Sequence, residues 1–305
     1  MYWTRRVAQI CLTDLNATIM KKILILTDHS DNAEHAAAQA VRLAAKTHAN
    51  LLLAHSYPLV PVSPYAPVIA MPYDNLAMEE QNKWELKRQA EALEELTSSL
   101  SSEVRRPSVH FTQQLGAPGE LIKDLSREND IDCIVLGESS NNAADHFLFG
   151  SDTRKILDSA DQPVLIIPKG VDLVDISKVI FATDFDEHDL IALKYLTNLG
   201  KTYHFELIVT NVGTPDHPTS HDKAEFFKKR IEKFGYDKLS YYEIGGADIA
   251  ARLDSFCRAQ HASLLGIGHR QRLFLGRIGH KSIARSVLHH KRLAVMVFPS
   301  SMKMP

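Results

Sequence analysis

Short apolar runs recur along the chain, each followed by a polar, turn-forming stretch and then by a longer segment whose apolar positions fall at helical spacing. Residues 23–26 are apolar throughout, and Thr27-Asp28-His29-Ser30-Asp31-Asn32 then supplies turn and cap residues for a helix over 33–46. A second apolar strand follows at 50–54. Residues 79–100 read as a helix whose core stripe is Trp84, Leu86, Ala90, Leu93 and Leu96. Residues 109–115 alternate as a strand, 116–120 turn the chain, and a helix at 121–128 leads to a fourth strand at 131–136. A helix at 151–160 and a strand at 163–167 complete the unit. Between them, residues 57–78 carry Pro58, Pro61, Pro64, Pro67 and Pro72, a composition that predicts a surface excursion rather than a helix or a central strand. Strands apolar on both faces and separated by helices predict a parallel sheet covered on both sides.

The pattern then repeats. KVIFATDFDEHDLIALKYL from Lys178 matches KILILTDHSDNAEHAAAQAV from Lys22, so Thr183-Asp184 stand in for Thr27-Asp28. Further strands are expected at 206–210, 239–244, 263–267 and 293–298, with helices at 224–234 and 249–259 between them. The second copy is shorter by about 25 residues, the length of the Pro-rich excursion. The expected organisation is a leader at 1–19 (disordered or outside the native reading frame), a first domain at 20–168, a linker at 169–177 and a second domain at 178–300. The last strands, PVLIIP and LAVMVFP, are apolar enough to pair with each other, making a pseudo-dimer within one chain and leaving homodimerisation open.

Composition narrows the function classes. A net charge of −2 and a pI near 6.7 ask for neither nucleic acid nor an anionic membrane, and no apolar run is long enough to span a bilayer. The expected setting is cytoplasmic. Cys11, Cys133 and Cys257 are odd in number and far apart, which argues against disulfides or zinc; Cys133 and Cys257 fit as small buried hydrophobes. His261, His269, His280, His289 and His290 form the densest histidine group, yet no pair at helical i, i+4 spacing joins a carboxylate there. No metal site is expected. No P-loop lysine, GxSxG or HExxH occurs either.

The stretch from Ile134 to Ser151 carries the chemistry. An apolar run ends at Gly137, and a helix reopens at Gly150-Ser151, which would present backbone N–H groups and a hydroxyl to a phosphate. Together with the Thr-Asp strand end and the Gly-rich turn at 116–120, this order of motifs resembles the universal stress protein family in each half, over residues 20 to about 299. The resemblance implies two doubly wound α/β domains, each a five-stranded parallel sheet of order 3-2-1-4-5 with helices on both faces. It also implies ATP or a related adenine nucleotide at the switch point between the first and fourth strands. ATP-binding members share a G-x2-G-x9-G-[S/T] pattern. Gly137 matches its first glycine, Ser140 replaces the second, and Gly150 and Ser151 match the terminal pair; Thr27 and Asp28 match the strand end that faces the nucleoside. No Lys or Arg lies between Glu138 and Phe149.

The second half departs further. Gly268 matches the first glycine, Gln271 the second, and Lys281-Ser282 the terminal pair; a shifted register would use Gly266, Gly279 and His280 instead. Lys281 with Arg270, Arg272 and Arg277 makes this loop basic, which suits an interface or a solvated face in a degenerate domain, an anion site being the alternative. The expected function is a stress-response regulatory protein, not an enzyme, that binds adenine nucleotide in the first domain only. The alternative is a nucleotide-free stress protein acting through protein contacts.

Overall fold

The structure, a computed structural model, describes residues 21–57, 71–138, 151–213, 221–269 and 293–303, setting aside the side chains of 71–76 and 151–152. The first half runs β1 (Lys22–Leu26), α1 (Asp31–Thr47), β2 (Asn50–Tyr57), α2 (Met71–Ser98), β3 (Val109–Leu115), α3 (Pro118–Glu128), β4 (Ile131–Gly137), α4 (Ser151–Ser159) and β5 (Val164–Ile167). The second runs β6 (Lys178–Ala182), α5 (Glu187–Tyr203), β7 (Glu206–Gly213), α6 (His221–Glu232), β8 (Leu239–Gly245), α7 (Ile249–Ala259), β9 (Leu264–His269) and β10 (Ala294–Pro299). From Lys22 to Lys178 the offset is 156 residues, and α1 and β2 recur as α5 and β7 at that same spacing.

All ten strands join one sheet in the order β3-β2-β1-β4-β5-β10-β9-β6-β7-β8. Read inward from either edge, each half has the order 3-2-1-4-5 expected from the sequence. The seam is antiparallel, with Val295 opposite Ile166, Met296 opposite Leu165 and Val297 opposite Val164, while the other strand pairs are parallel. The two five-stranded sheets expected from the sequence join through their last strands into one continuous sheet.

Alternation along the strands feeds two cores. Ile23 and Ile25 of β1 join Leu51, Leu53 and Val135 beneath α1 and α2, and the same cluster continues to Phe181, Leu193 and Phe205 of the second half. Leu24 and Leu26 face the other way, with Ile134 and Leu136, onto α3 and α4; that cluster continues to Ile180, Leu253 and Leu265. Both cores cross the seam. Cys133 and Cys257 are buried within them, and burial pushes the Cys133 thiol well up and the Cys257 thiol to about 12, so both are inert hydrophobes.

Two expectations are corrected here. The excursion ends earlier than its prolines suggested: β2 runs to Tyr57 and α2 already starts at Met71, with Pro72 in its first turn, where the missing N–H has no helical partner to lose. Trp84 and Leu96 are not core, being 64% and 41% exposed, whereas Leu86, Gln89, Ala90, Leu93 and Thr97 are buried at three- and four-residue spacing. The large apolar side chains at 84 and 96 sit off that stripe.

Residues 169–177 are more than a connector. Val171, Leu173 and Ile176 are buried in the shared core, the Leu173 N–H donates to Gln39 Oε1 at 3.0 Å, and Arg42 pairs with Asp172 at 2.8 Å. His35 Nε2 lies 2.8 Å from the Val171 carbonyl, so that nitrogen carries the proton. The segment straps α1 to the second half.

Candidate functional site

At the carboxyl end of β1 the chain turns through Thr27-Asp28-His29-Ser30, and Ser30 caps α1 by accepting from the Ala33 N–H. His29 adopts φ +63°, a conformation that lets the turn close within three residues. Asp28 is exposed at the mouth, and its Oδ1 accepts from the Ser30 N–H at 3.0 Å and the Ser30 hydroxyl at 2.5 Å. Thr27 is turned the other way. Its buried hydroxyl donates to Gln89 Oε1 of α2 at 3.0 Å and accepts from the His29 N–H at 3.0 Å, so it fixes the turn rather than facing a ligand.

β4 ends beside this turn. Gly137 is its last residue, and a Cβ there would lie 2.5 Å from the backbone carbonyl of Asn32. The glycine expected to admit a ligand instead admits the first turn of α1. Asn32 Nδ2 donates to the Glu138 carbonyl at 2.8 Å, tying the helix start to the end of β4. Asp28, Asn32, Gly137 and Glu138 thus meet at the β1–β4 switch point, the place where ligands enter open α/β sheets. Ser151 opens α4, and Ser140 and Gly150 lie outside the described residues.

Beneath the turn, on the α2 side, are groups the sequence reasoning passed over. His55 Nδ1 donates to the Thr27 carbonyl at 2.7 Å, and its ring lies beside that of His29. Burial, with a smaller contribution from His29, pushes the His55 pKa below the ordinary value of 6.5. Gln89 is held by donating to Glu34 Oε1 at 3.2 Å, which leaves its Oε1 to accept from Thr27 and His29 Nδ1. The signal was available, because Asn211 stands 156 residues after His55 and donates to the Thr183 carbonyl at 2.7 Å in the same way.

The second switch point is built differently. Asp189, at the position of Ala33, is buried; its Oδ2 accepts from the Thr183 hydroxyl at 2.7 Å and the Asp184 N–H at 3.3 Å. A Cβ on Gly268 would lie 2.9 Å from Asp189 Oδ1, so a carboxylate fills the space beside the matching glycine. Gly268 ends opposite Phe298 as Gly137 does opposite Ile167, whereas Gly266 sits inside β9 against Phe181, which favours the first register. Phe185 replaces His29 and packs on Phe227 and Tyr241.

His269 Nε2 meets Asp158 Oδ1 of the first half at 3.1 Å, and no group of three His, Cys, Asp or Glu among the described residues could hold a metal. His280, His289, His290, Gln271 and Lys281-Ser282 lie outside the described residues, as do Arg270, Arg272 and Arg277. No described helix is long and apolar enough to cross a membrane.

Comparison with known proteins bears on this arrangement. The model of the universal stress protein family matches residues 20–168. A universal stress protein of Thermus aquaticus is 30% identical over 149 residues, covering 49% of this chain and 99% of the relative. One from Methanocaldococcus jannaschii is 26% identical over 157 residues, covering 50% of this chain and 84% of its own. Over both halves, the fold is that of the crystal structure of a universal stress protein from Archaeoglobus fulgidus, with TM-score 0.69 at 19% identity, covering 91% of this chain and 96% of that one.

Proposed function

The chain belongs to the universal stress protein family, and on that premise we propose that it is a regulatory protein that binds ATP or a related adenine nucleotide at the first switch point alone. The observation that carries this reading is the contrast between Ala33 and Asp189. In the first half the uncharged Ala33, between Asp31 and Glu34 of the first turn of α1, stands at the β1–β4 crevice, with Asp28 exposed at its mouth and α4 opening at Ser151. Helix starts favour phosphate. In the second half a buried carboxylate occupies the matching position. A phosphate brought within ~4 Å of it meets a repulsion of about 4 kcal/mol near a protein surface.

Calorimetric titration of the full chain with ATP tests the reading. One equivalent should bind per chain, and Asp28→Ala should weaken binding by about tenfold, the cost of one hydrogen bond to a charged group. Gly150→Trp should abolish it. Two equivalents, or none, would overturn the proposal, and absence of binding would leave the protein-contact reading. The protein is read as a binder and not an enzyme; phosphate release above the uncatalysed rate at saturating ATP would overturn that part.

A further inference from the structure

β3 is one edge of the ten-stranded sheet and β8 is the other, and no described residue pairs with the outer side of either. An open strand edge is a row of unmet backbone donors and acceptors that another strand can meet.

The ladder to β2 fixes which residues of β3 face outward. The Leu51 N–H donates to the Ser108 carbonyl at 2.9 Å, and the Gly116 N–H donates to the Tyr57 carbonyl at 2.9 Å. Bonding residues alternate along a parallel strand, so the backbone groups of Val109, Phe111, Gln113 and Leu115 point out of the sheet. At the other edge the Leu207 N–H donates to the Lys238 carbonyl and the Gly246 N–H to the Gly213 carbonyl. There the outward residues are Leu239, Tyr241, Glu243 and Gly245.

The two edges are protected unequally. β3 starts at Val109 and β8 at Leu239, an offset of 239 − 109 = 130 residues, which sets Gln113 against Glu243. β8 therefore carries a charge at an outward position, and charge on an edge strand discourages pairing. β3, VHFTQQL, has no Asp, Glu, Lys, Arg or Pro. Its Phe111 and Leu115 are 42% and 49% exposed.

We propose that β3 is a self-association edge whose occupant is β3 of a second copy of this chain, antiparallel about a twofold axis at Thr112. That register sets Phe111 against Gln113 and Val109 against Leu115 of the other copy, so all four outward residues fall in hydrogen-bonded pairs. Centring the axis on Phe111 would set Leu115 opposite Pro107, which has no N–H, and centring it on Gln113 would set Val109 opposite Ala117, beyond the strand. Thr112 meets its own copy, a favourable cross-strand pair. Charge agrees. Arg106 is exposed just before β3 and Glu120 just after it, and antiparallel pairing brings the entrance of one strand to the exit of the other. α2 packs over β2 and β3, so the two copies of α2 would run about 10 Å apart, two strand spacings and the ordinary distance between packed helices. The chain joins its own halves in this manner, edge to edge and antiparallel, at β5 and β10.

Sedimentation velocity on the full chain tests this. At about 100 μM chain the principal species should have twice the 34.2 kDa chain mass. Phe111→Lys, which charges the β3 edge, should raise the dissociation constant by about tenfold or more, whereas Tyr242→Lys, at a similarly exposed position of β8, should leave it unchanged. Arg106→Glu should weaken association by about threefold, and Arg106→Glu with Glu120→Arg should restore it. Melting temperatures of the variants within a few degrees of wild type separate loss of the edge from general unfolding. A chain monomeric at that concentration, a dimer indifferent to Phe111→Lys, or open-ended polymers that join β3 to β8 would overturn the proposal.

Discussion

The imidazole rings of His29 and His55 lie 4.2 Å apart, centroid to centroid, at an interplanar angle of 41° under the turn that ends β1. His29 Nε2 is buried without a hydrogen-bond partner among the described residues, and the His55 Nδ1–H donates to the Thr27 carbonyl. Burial and the neighbouring ring disfavour a charge on His55, while the Thr27 carbonyl and Asp28 favour it less strongly.

A pH dependence follows from that pair. His55 holds its proton more weakly folded than unfolded, so the unfolded chain takes up more protons as the solution is acidified. The stability it contributes is fully present above the ordinary value of 6.5 and declines as pH falls below it. Thermal melts between pH 8 and 5 should show a falling midpoint below about 6.5. His55→Asn, which copies Asn211 and can donate to the same carbonyl, should flatten that fall. An identical slope in wild type and variant would remove His55 as its source.

Gly137 and Gly268 occupy matching positions with unlike neighbours. An alanine at 137 meets the Asn32 backbone at 2.5 Å, and one at 268 meets the Asp189 side chain at 2.9 Å. Backbone cannot turn aside as a side chain can. Gly137→Ala should cost about 2 kcal/mol of unfolding free energy in urea, within the range for overpacking, and Gly268→Ala distinctly less.

The strap at 169–177 should behave as core. Leu173→Ala should cost about 2–5 kcal/mol, as for other buried leucines, whereas Val174→Ala, 44% exposed, should stay within about 0.5 kcal/mol. Equal effects would mean that the segment is a passive connector.

The same contrast applies to α2. Leu86→Ala should lower stability by about 2–5 kcal/mol, and Trp84→Ser should leave it nearly unchanged, because the tryptophan is mostly in water. Urea denaturation of the two variants side by side decides it.

Fold was legible because the repeat is a matter of spacing. Thr-Asp followed by a helix start recurs at a fixed offset, and fully apolar strands admit only a sheet covered on both faces. The even apolarity of PVLIIP and LAVMVFP foretold the seam. What stayed hidden depended on partners distant in sequence. Trp84 was placed in the core as one of the apolar positions of its helix, although the period running through Leu86, Ala90 and Leu93 excludes it. The Val-x-Leu-x-x-Ile order of the strap was visible, but Lys169-Gly170 in front of it resembled a loose junction. At the site, the glycine pattern pointed to the carboxyl end of the sheet and did not reveal that Gly137 packs against the first turn of α1. Asp189 was not singled out from the sequence, since nothing local tells a solvated carboxylate from a buried one.

The seam between β5 and β10 sets how the two halves respond to dilution. Two separate domains meeting edge to edge part as their concentration drops, but here both edges belong to one polypeptide and face each other at a fixed effective concentration. Val164 to Ile166 and Val295 to Val297 are thereby withdrawn from exchange with other chains. The one-to-one ratio of a half with Ala33 at its switch point to a half with Asp189 there is set when the chain is made, and mass action cannot alter it.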